Sequence, residues 1–136
     1  MAIGFQVKND WYEIGTGDFF HCFFSNIAYH LEKENWGNKY PILMNELYQG
    51  ELKHKNIDKA IIELKKIQFD FEKIPPSKII WDIENLSLTP PWGNNISPEI
   101  TDLSNYFVTS DGNNLFEIFF EALSKANEEK VNLIIQ

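Results

Sequence analysis

Apolar positions change their spacing several times along the chain, and each change marks a predicted element. Ala2 to Val7 and Trp11 to Ile14 are short aromatic and β-branched runs separated by Lys8-Asn9-Asp10, which predicts a β-hairpin or two consecutive edge strands. Gly15-Thr16-Gly17 ends them. Phe19, Phe20, Phe23, Phe24, Ile27, Ala28 and Leu31 then recur at helical spacing, with Thr16 or Asp18 placed to accept the free N–H groups of the first turn. Asn35-Trp36-Gly37-Asn38 closes that helix. Pro41 to Tyr48 predicts a short helix, because proline suits a first helical turn and Gly50 suits the left-handed position past a helix end. Asn56 is the expected N-cap of a longer helix in which Ile57, Ala60, Leu64, Ile67, Phe71 and Ile74 form one stripe. Lys59, Glu63, Lys66, Asp70 and Lys73 lie opposite as a solvated face, and Pro75-Pro76 stops the helix.

Lys78 to Ile83 reads as a buried strand and Asn105 to Thr109 as another. Between them lies loop, with one helical turn expected near Ser97 to Leu103. Asp111-Gly112-Asn113-Asn114 introduces a last helix carrying Leu115, Phe116, Phe119, Phe120 and Leu123, ending near Asn127, before a closing strand from Val131 to Ile135. The order β, β, α, α, α, β, β, α, β, without internal repeat or linker, predicts one domain spanning residues 1–136. Its fold class is α/β in the broad sense (α+β): a sandwich with helices packed on a mainly antiparallel or mixed sheet.

Composition narrows the function classes. The chain is 43% hydrophobic and 15% aromatic, enough to fill a core, which argues against disorder. A formal charge of -8 argues against nucleic-acid and acidic-membrane partners and leaves a basic partner as the natural complement. All 12 basic residues are lysine, which reads as a nucleotide bias of the genome. Cys22 is the only cysteine, so no intramolecular disulfide forms and a cysteine-based zinc site is not expected. Neither a secretory leader nor a spanning apolar segment is evident, and a reducing, cytoplasmic location is the expectation.

Reaction signatures are sparse. No dinucleotide fingerprint, phosphate loop, H-E-x-x-H or G-x-S-x-G occurs, and no cofactor is expected. His21 and Cys22 are adjacent and would point about 100° apart on a helix, which reads against a thiolate-imidazolium pair and for His21 as a packed or capping residue. Asp82 and Glu84, two apart on the expected strand, would share a face, and with Asp102 they define the alternative of a small metal-dependent or hydrolytic enzyme. From Ile79 to Ser124 there is no lysine or arginine to offset Asp82, Glu84, Glu99, Asp102, Asp111, Glu117 and Glu121. Trp92, held between Pro90-Pro91 and Gly93-Asn94-Asn95, is either an exposed binding anchor or a lid on the core. Of Tyr106 and Phe107, strand alternation places one outward.

Three blocks then carry a resemblance: WYEIGTGDFFHCFF from Trp11, WGNKYPILMNELYQG from Trp36, and PPWGNNIS from Pro90 followed by TDLSNYFVTSDG from Thr101. Together they resemble the immunity protein 70 family of bacterial polymorphic toxin systems. The resemblance implies a small cytoplasmic protein that binds and blocks a toxin domain encoded beside it, and it carries over no catalytic residue. Asp82, Glu84, Trp92, Asn94, Asn95, Glu99, Asp102, Tyr106 and Asp111 are the candidate toxin-binding residues, because the polar positions of this segment have no evident packing purpose. Oligomeric state and the toxin's own activity are left open by the sequence.

Overall fold

The computed structural model describes residues 1–136. Strands β1 (Ile3–Val7) and β2 (Asp10–Gly15) form the expected hairpin, with Lys8 in the left-handed region of the turn. The sheet has the order β2-β1-β4-β3, where β3 is Glu51–Leu52 and β4 is Leu133–Ile135. All pairings are antiparallel, so the fold is α+β as the element order implies. β3 is only two residues long and was invisible to periodicity; its pairing of Leu52 with Leu133 closes the sheet.

Helix α1 (Gly17–Asn26) starts where Thr16 Oγ1 accepts the Phe19 N–H, and it runs on into a wider π turn at Ile27–Leu31. Helix α2 (Ile57–Phe71) has the expected stripe, with Ile57, Ala60, Leu64, Ile67 and Phe71 buried. Helix α3 (Leu115–Glu129) is capped by the Asn114 side chain at its start and ends two residues later than expected, at Lys130 in the left-handed region. Phe23 of α1 sits at the centre of the core, with ring centroids 5.2 Å from Phe107, 5.3 Å from Phe116 and 6.0 Å from Phe71. Phe5 of the sheet packs against Phe119 of α3 with ring centroids 4.7 Å apart and planes tilted by 38°, which sets that helix on the sheet.

Four expectations are corrected. Lys78 to Ile83 is not a strand: its backbone is held by the polar side of α1 instead of by a ladder. Asn26, fully buried, donates from Nδ2 to the Ile80 carbonyl at 2.9 Å and accepts the Ile80 N–H at Oδ1 at 3.1 Å. Ser25 Oγ accepts the Ile83 N–H, and His30 Nε2 meets the Lys78 carbonyl at 2.8 Å. A side-chain amide carries the same donor and acceptor as a peptide, so Asn26 supplies the pair of bonds that a neighbouring strand would have made. Asn105 to Thr109 is likewise not a strand. It doubles back on the start of α3, with the Leu115 N–H on the Phe107 carbonyl and one bridge between Val108 and Asn114. Strand alternation therefore does not apply there: Tyr106 and Phe107 are both buried, and Val108 is the exposed residue.

Asn56 does not cap α2; its Nδ2 donates to the Glu46 carboxylate. Nor is Glu63 simply solvated. Half-buried, it accepts the Ile42 and Leu43 N–H groups and so holds the start of the Pro41 to Tyr48 segment, which is wound as a π turn and then a tighter 3₁₀ turn. Burial, outweighing those two N–H bonds, raises its pKa. Glu32, only 2% exposed, does the same for the loop before it, accepting N–H groups from Gly37, Lys39 and Tyr40.

Replacing Asn26 by alanine leaves the half-buried Ile80 N–H without its partner and the Ile80 carbonyl with only the weak Cys22 Sγ donor. Denaturant unfolding is expected to show a loss of about 2–4 kcal/mol, against less than about 0.5 for Lys65→Ala on the surface. Equal stabilities for the two variants would show that the clamp does not hold this segment.

Candidate functional site

Once clamped, the Lys78 to Ile83 segment presents Asp82 next to the middle of α1. His21 lies there, with Nδ1 2.6 Å from the Tyr48 hydroxyl and Nε2 3.2 Å from Asp82 Oδ1. Asp82 Oδ1 also accepts the Glu84 N–H at 2.9 Å, a bond that, with His21, holds the Asp82 carboxyl below the usual aspartate range. Ligand atoms of His21, Asp82 and Glu84 all lie within 4.8 Å of one another. Asp82 and Glu84 thus meet as the sequence reading asked, but through a turn rather than a strand. Asp102 does not join them. Its carboxylate accepts from the Ser104 hydroxyl and N–H and from the Thr101 hydroxyl, which overcome the upward push of its burial and lower its pKa. Adjacent Cys22 is buried, with Sγ donating to the Ile80 carbonyl, and burial pushes its pKa up to about 12, so the thiol is inert.

The remaining candidates lie along the loop that follows. Pro90 is buried while Asn94, Asn95 and Glu99 are exposed. Trp92 is half-buried: its Nε1 donates to the Tyr106 hydroxyl at 2.7 Å, and its ring meets Trp81 edge-on at 5.6 Å. Tyr106, 5% exposed, supports Trp92 from below. Phe19, Trp92, Ile96, Ile100, Tyr106 and Val108 line an open hollow of about 250 Å³, with Asn95 at its edge. Leu103 N–H bonds to the Phe71 and Ile74 carbonyls fasten this loop to the end of α2. Asn105 fastens it internally, accepting the Thr101 and Asp102 N–H groups and donating to the Glu99 carbonyl. Asp111 is exposed in the turn before α3.

Sequence reasoning missed two features. The first is the set of α1 side chains, Ser25 and Asn26, that orders the acidic segment. Their one sequence signal is a pair of small polar residues interrupting the run Phe23-Phe24 to Ile27-Ala28. The second is another acidic face, where Asp10, Trp11, Tyr12, Glu121 and Glu128 line a shallow hollow joined by Lys125. Burial and then the charges of Glu121, Asp10 and Glu128 raise the Tyr12 pKa, a sign of the negative field there. Hairpin and α3 contribute these residues from opposite ends of the chain, beyond the reach of spacing arguments. The lysines are concentrated elsewhere: nine of the 12 fall between residues 33 and 78, interspersed with seven acidic residues. Lys39, Lys59 and Lys66 border a hollow against Tyr40 and α2.

The depressed pKa of Asp102 gives a pH dependence with a definite sign. A folded-state value below the unfolded one, about 3.9, contributes stability above that pH and loses it as pH falls through the folded value. Asp102→Asn is expected to be less stable than the parent at pH 7, with the gap narrowing below about pH 4 in thermal unfolding. A gap independent of pH would show that the Asp102 charge has no part in holding the loop.

Comparison with curated proteins and with solved structures gives no match. The three sequence blocks nevertheless fall within one family pattern, whose span also includes the clamped segment and the hollow. A family model described as Immunity protein 70 matches residues 5–135 of the 136-residue chain, and the chain belongs to that family.

Proposed function

We propose that this protein binds a cognate bacterial toxin domain and neutralises it by occlusion, through the acidic surface formed by residues 82–111. The family match over residues 5–135 carries the reading. Its support in the structure is a loop surface whose backbone is satisfied internally, so that Glu84, Asn94, Asn95, Glu99 and Asp111 are free to face a partner. Trp92 offers an aromatic edge at the hollow, and from Ile79 to Ser124 there is no lysine or arginine to offset the acids. Such a face complements a basic toxin surface, as a nucleic-acid-cleaving toxin would have, and raises the encounter rate with it. The partner is expected from an adjacent gene and the encounter in the cytoplasm.

An enzyme using Asp82, Glu84 and Asp102 is the weaker reading, because the Asp102 carboxylate is already engaged by Ser104 and Thr101. An interface of ordinary size would bury about 1,600 Å² in total, enough to span the hollow and the neighbouring acids.

Co-expression with the toxin domain of the adjacent gene is expected to restore growth and to yield a stable complex; neither effect would remove the immunity reading. Glu84, Glu99 and Asp111 make no side-chain hydrogen bonds or ion pairs, so reversing all three to lysine tests the surface without unfolding it. The association rate at low salt should fall at least about tenfold. Trp92→Ala should weaken affinity by about tenfold or more, near 1.4 kcal/mol. Rescue that persists with unchanged rate and affinity in both variants would move the interface to another face.

A further inference from the structure

We propose that His21, Asp82 and Glu84 form a binding site for a divalent transition-metal ion of the zinc class. This inference stands apart from the toxin reading. It rests on three donors of mixed type brought from two segments into one half-exposed place, with their ligand atoms within 4.8 Å of one another. An imidazole beside two carboxylates is the donor set of zinc and its first-row neighbours, whereas magnesium and calcium favour oxygen alone.

The geometry fits such an ion. Bonds of about 2.0–2.1 Å in a tetrahedral site set neighbouring donors about 3.3 Å apart. His21 Nε2 and Asp82 Oδ1 already stand at 3.2 Å. Glu84 is exposed and forms no other side-chain hydrogen bond or ion pair, so rotation of its side chain closes the third corner. Water takes the fourth.

The surroundings orient the donors. His21 Nδ1 lies 2.6 Å from the Tyr48 hydroxyl oxygen. With the metal on Nε2, the imidazole proton resides on Nδ1 and is donated to that oxygen, the outer-shell bond that fixes the ring of a ligating histidine. Trp36 lies nearly parallel to the ring, with centroids 6.1 Å apart. On the other side, the Asn26 and Ser25 bonds to Ile80 and Ile83 fix the backbone that carries Asp82. Both halves are thus positioned before the ion arrives, which lowers the ordering cost of binding. The bound ion would link α1 to the acidic segment and cancel two of its negative charges.

The test is isothermal titration of the full-length, metal-stripped chain with Zn²⁺, and separately with Mg²⁺, in a non-chelating buffer. One Zn²⁺ per chain is expected, bound more tightly than Mg²⁺. Affinity should fall at least tenfold in Glu84→Gln, which disturbs no other contact, and also in His21→Gln. Glu99→Gln, an acid outside the group, should leave it unchanged. Co²⁺ in place of Zn²⁺ should give visible absorption of tetrahedral type, lost in the same two variants. No binding at millimolar Zn²⁺, binding indifferent to Glu84→Gln, or tighter binding of Mg²⁺ would overturn the assignment. Toxin binding does not enter the readout, so this test can fail while the immunity function stands.

Discussion

The structure depends on how its irregular backbone is satisfied away from water. Most of residues 32–41 and 72–114 are neither α-helix nor ladder, yet they lie against a core of Phe, Leu and Ile side chains where an unpaired N–H or carbonyl costs about 1–3 kcal/mol. A few buried side chains meet that demand. Asn26 answers both polar groups of Ile80, Glu32 accepts the N–H groups of Gly37, Lys39 and Tyr40, and Glu63 accepts two more. Helix α1 is consequently two-sided: its aromatic side fills the core through Phe20, Phe23 and Phe24, and its polar side holds Lys78 to Ile83.

That division has a direct result for the surface. A segment hydrogen-bonded to its own helix needs no sheet neighbour, so its exposed side is left to charges and loop polar groups. Pro90 anchors the corner from within, Trp92 leans on Tyr106, and Glu84, Glu99 and Asp111 are exposed, with no lysine or arginine in the segment. Nine of the 12 lysines meanwhile lie between residues 33 and 78, where they are mixed with seven acids, so only the later segment carries charge of a single sign. Uncompensated charge of one sign acts on any approaching charged molecule over distances near the Debye length, about 8 Å at physiological salt.

Much of the scaffold was legible in the chain. The hairpin, the three main helices, the Thr16 cap and the closing strand follow from periods of two and 3.6 and from local capping chemistry, all short-range. Lys78 to Ile83 and Asn105 to Thr109 were misread because an apolar, β-branched run carries the same signal whether its backbone is bonded to a strand or to side chains. Asn56 was misread for a related reason: a good capping residue also serves as a donor to any nearby carboxylate, and Glu46 claimed it. Of the candidate site, the pairing of Asp82 with Glu84 was visible as a spacing. Its third member, His21, was not, since 61 residues separate His21 from Asp82.

By itself, then, the sequence determined the element types, the aromatic core positions, the family pattern and the uncompensated acidity of the later chain. It could do so because each is a property of neighbouring residues or of composition. Tertiary structure alone decided that Asn26 replaces a strand, that β3 completes the sheet from two residues, that Tyr106 lies under Trp92, and that His21 meets Asp82 and Glu84. These are choices of partner between distant groups of equal local preference, and packing geometry settles them.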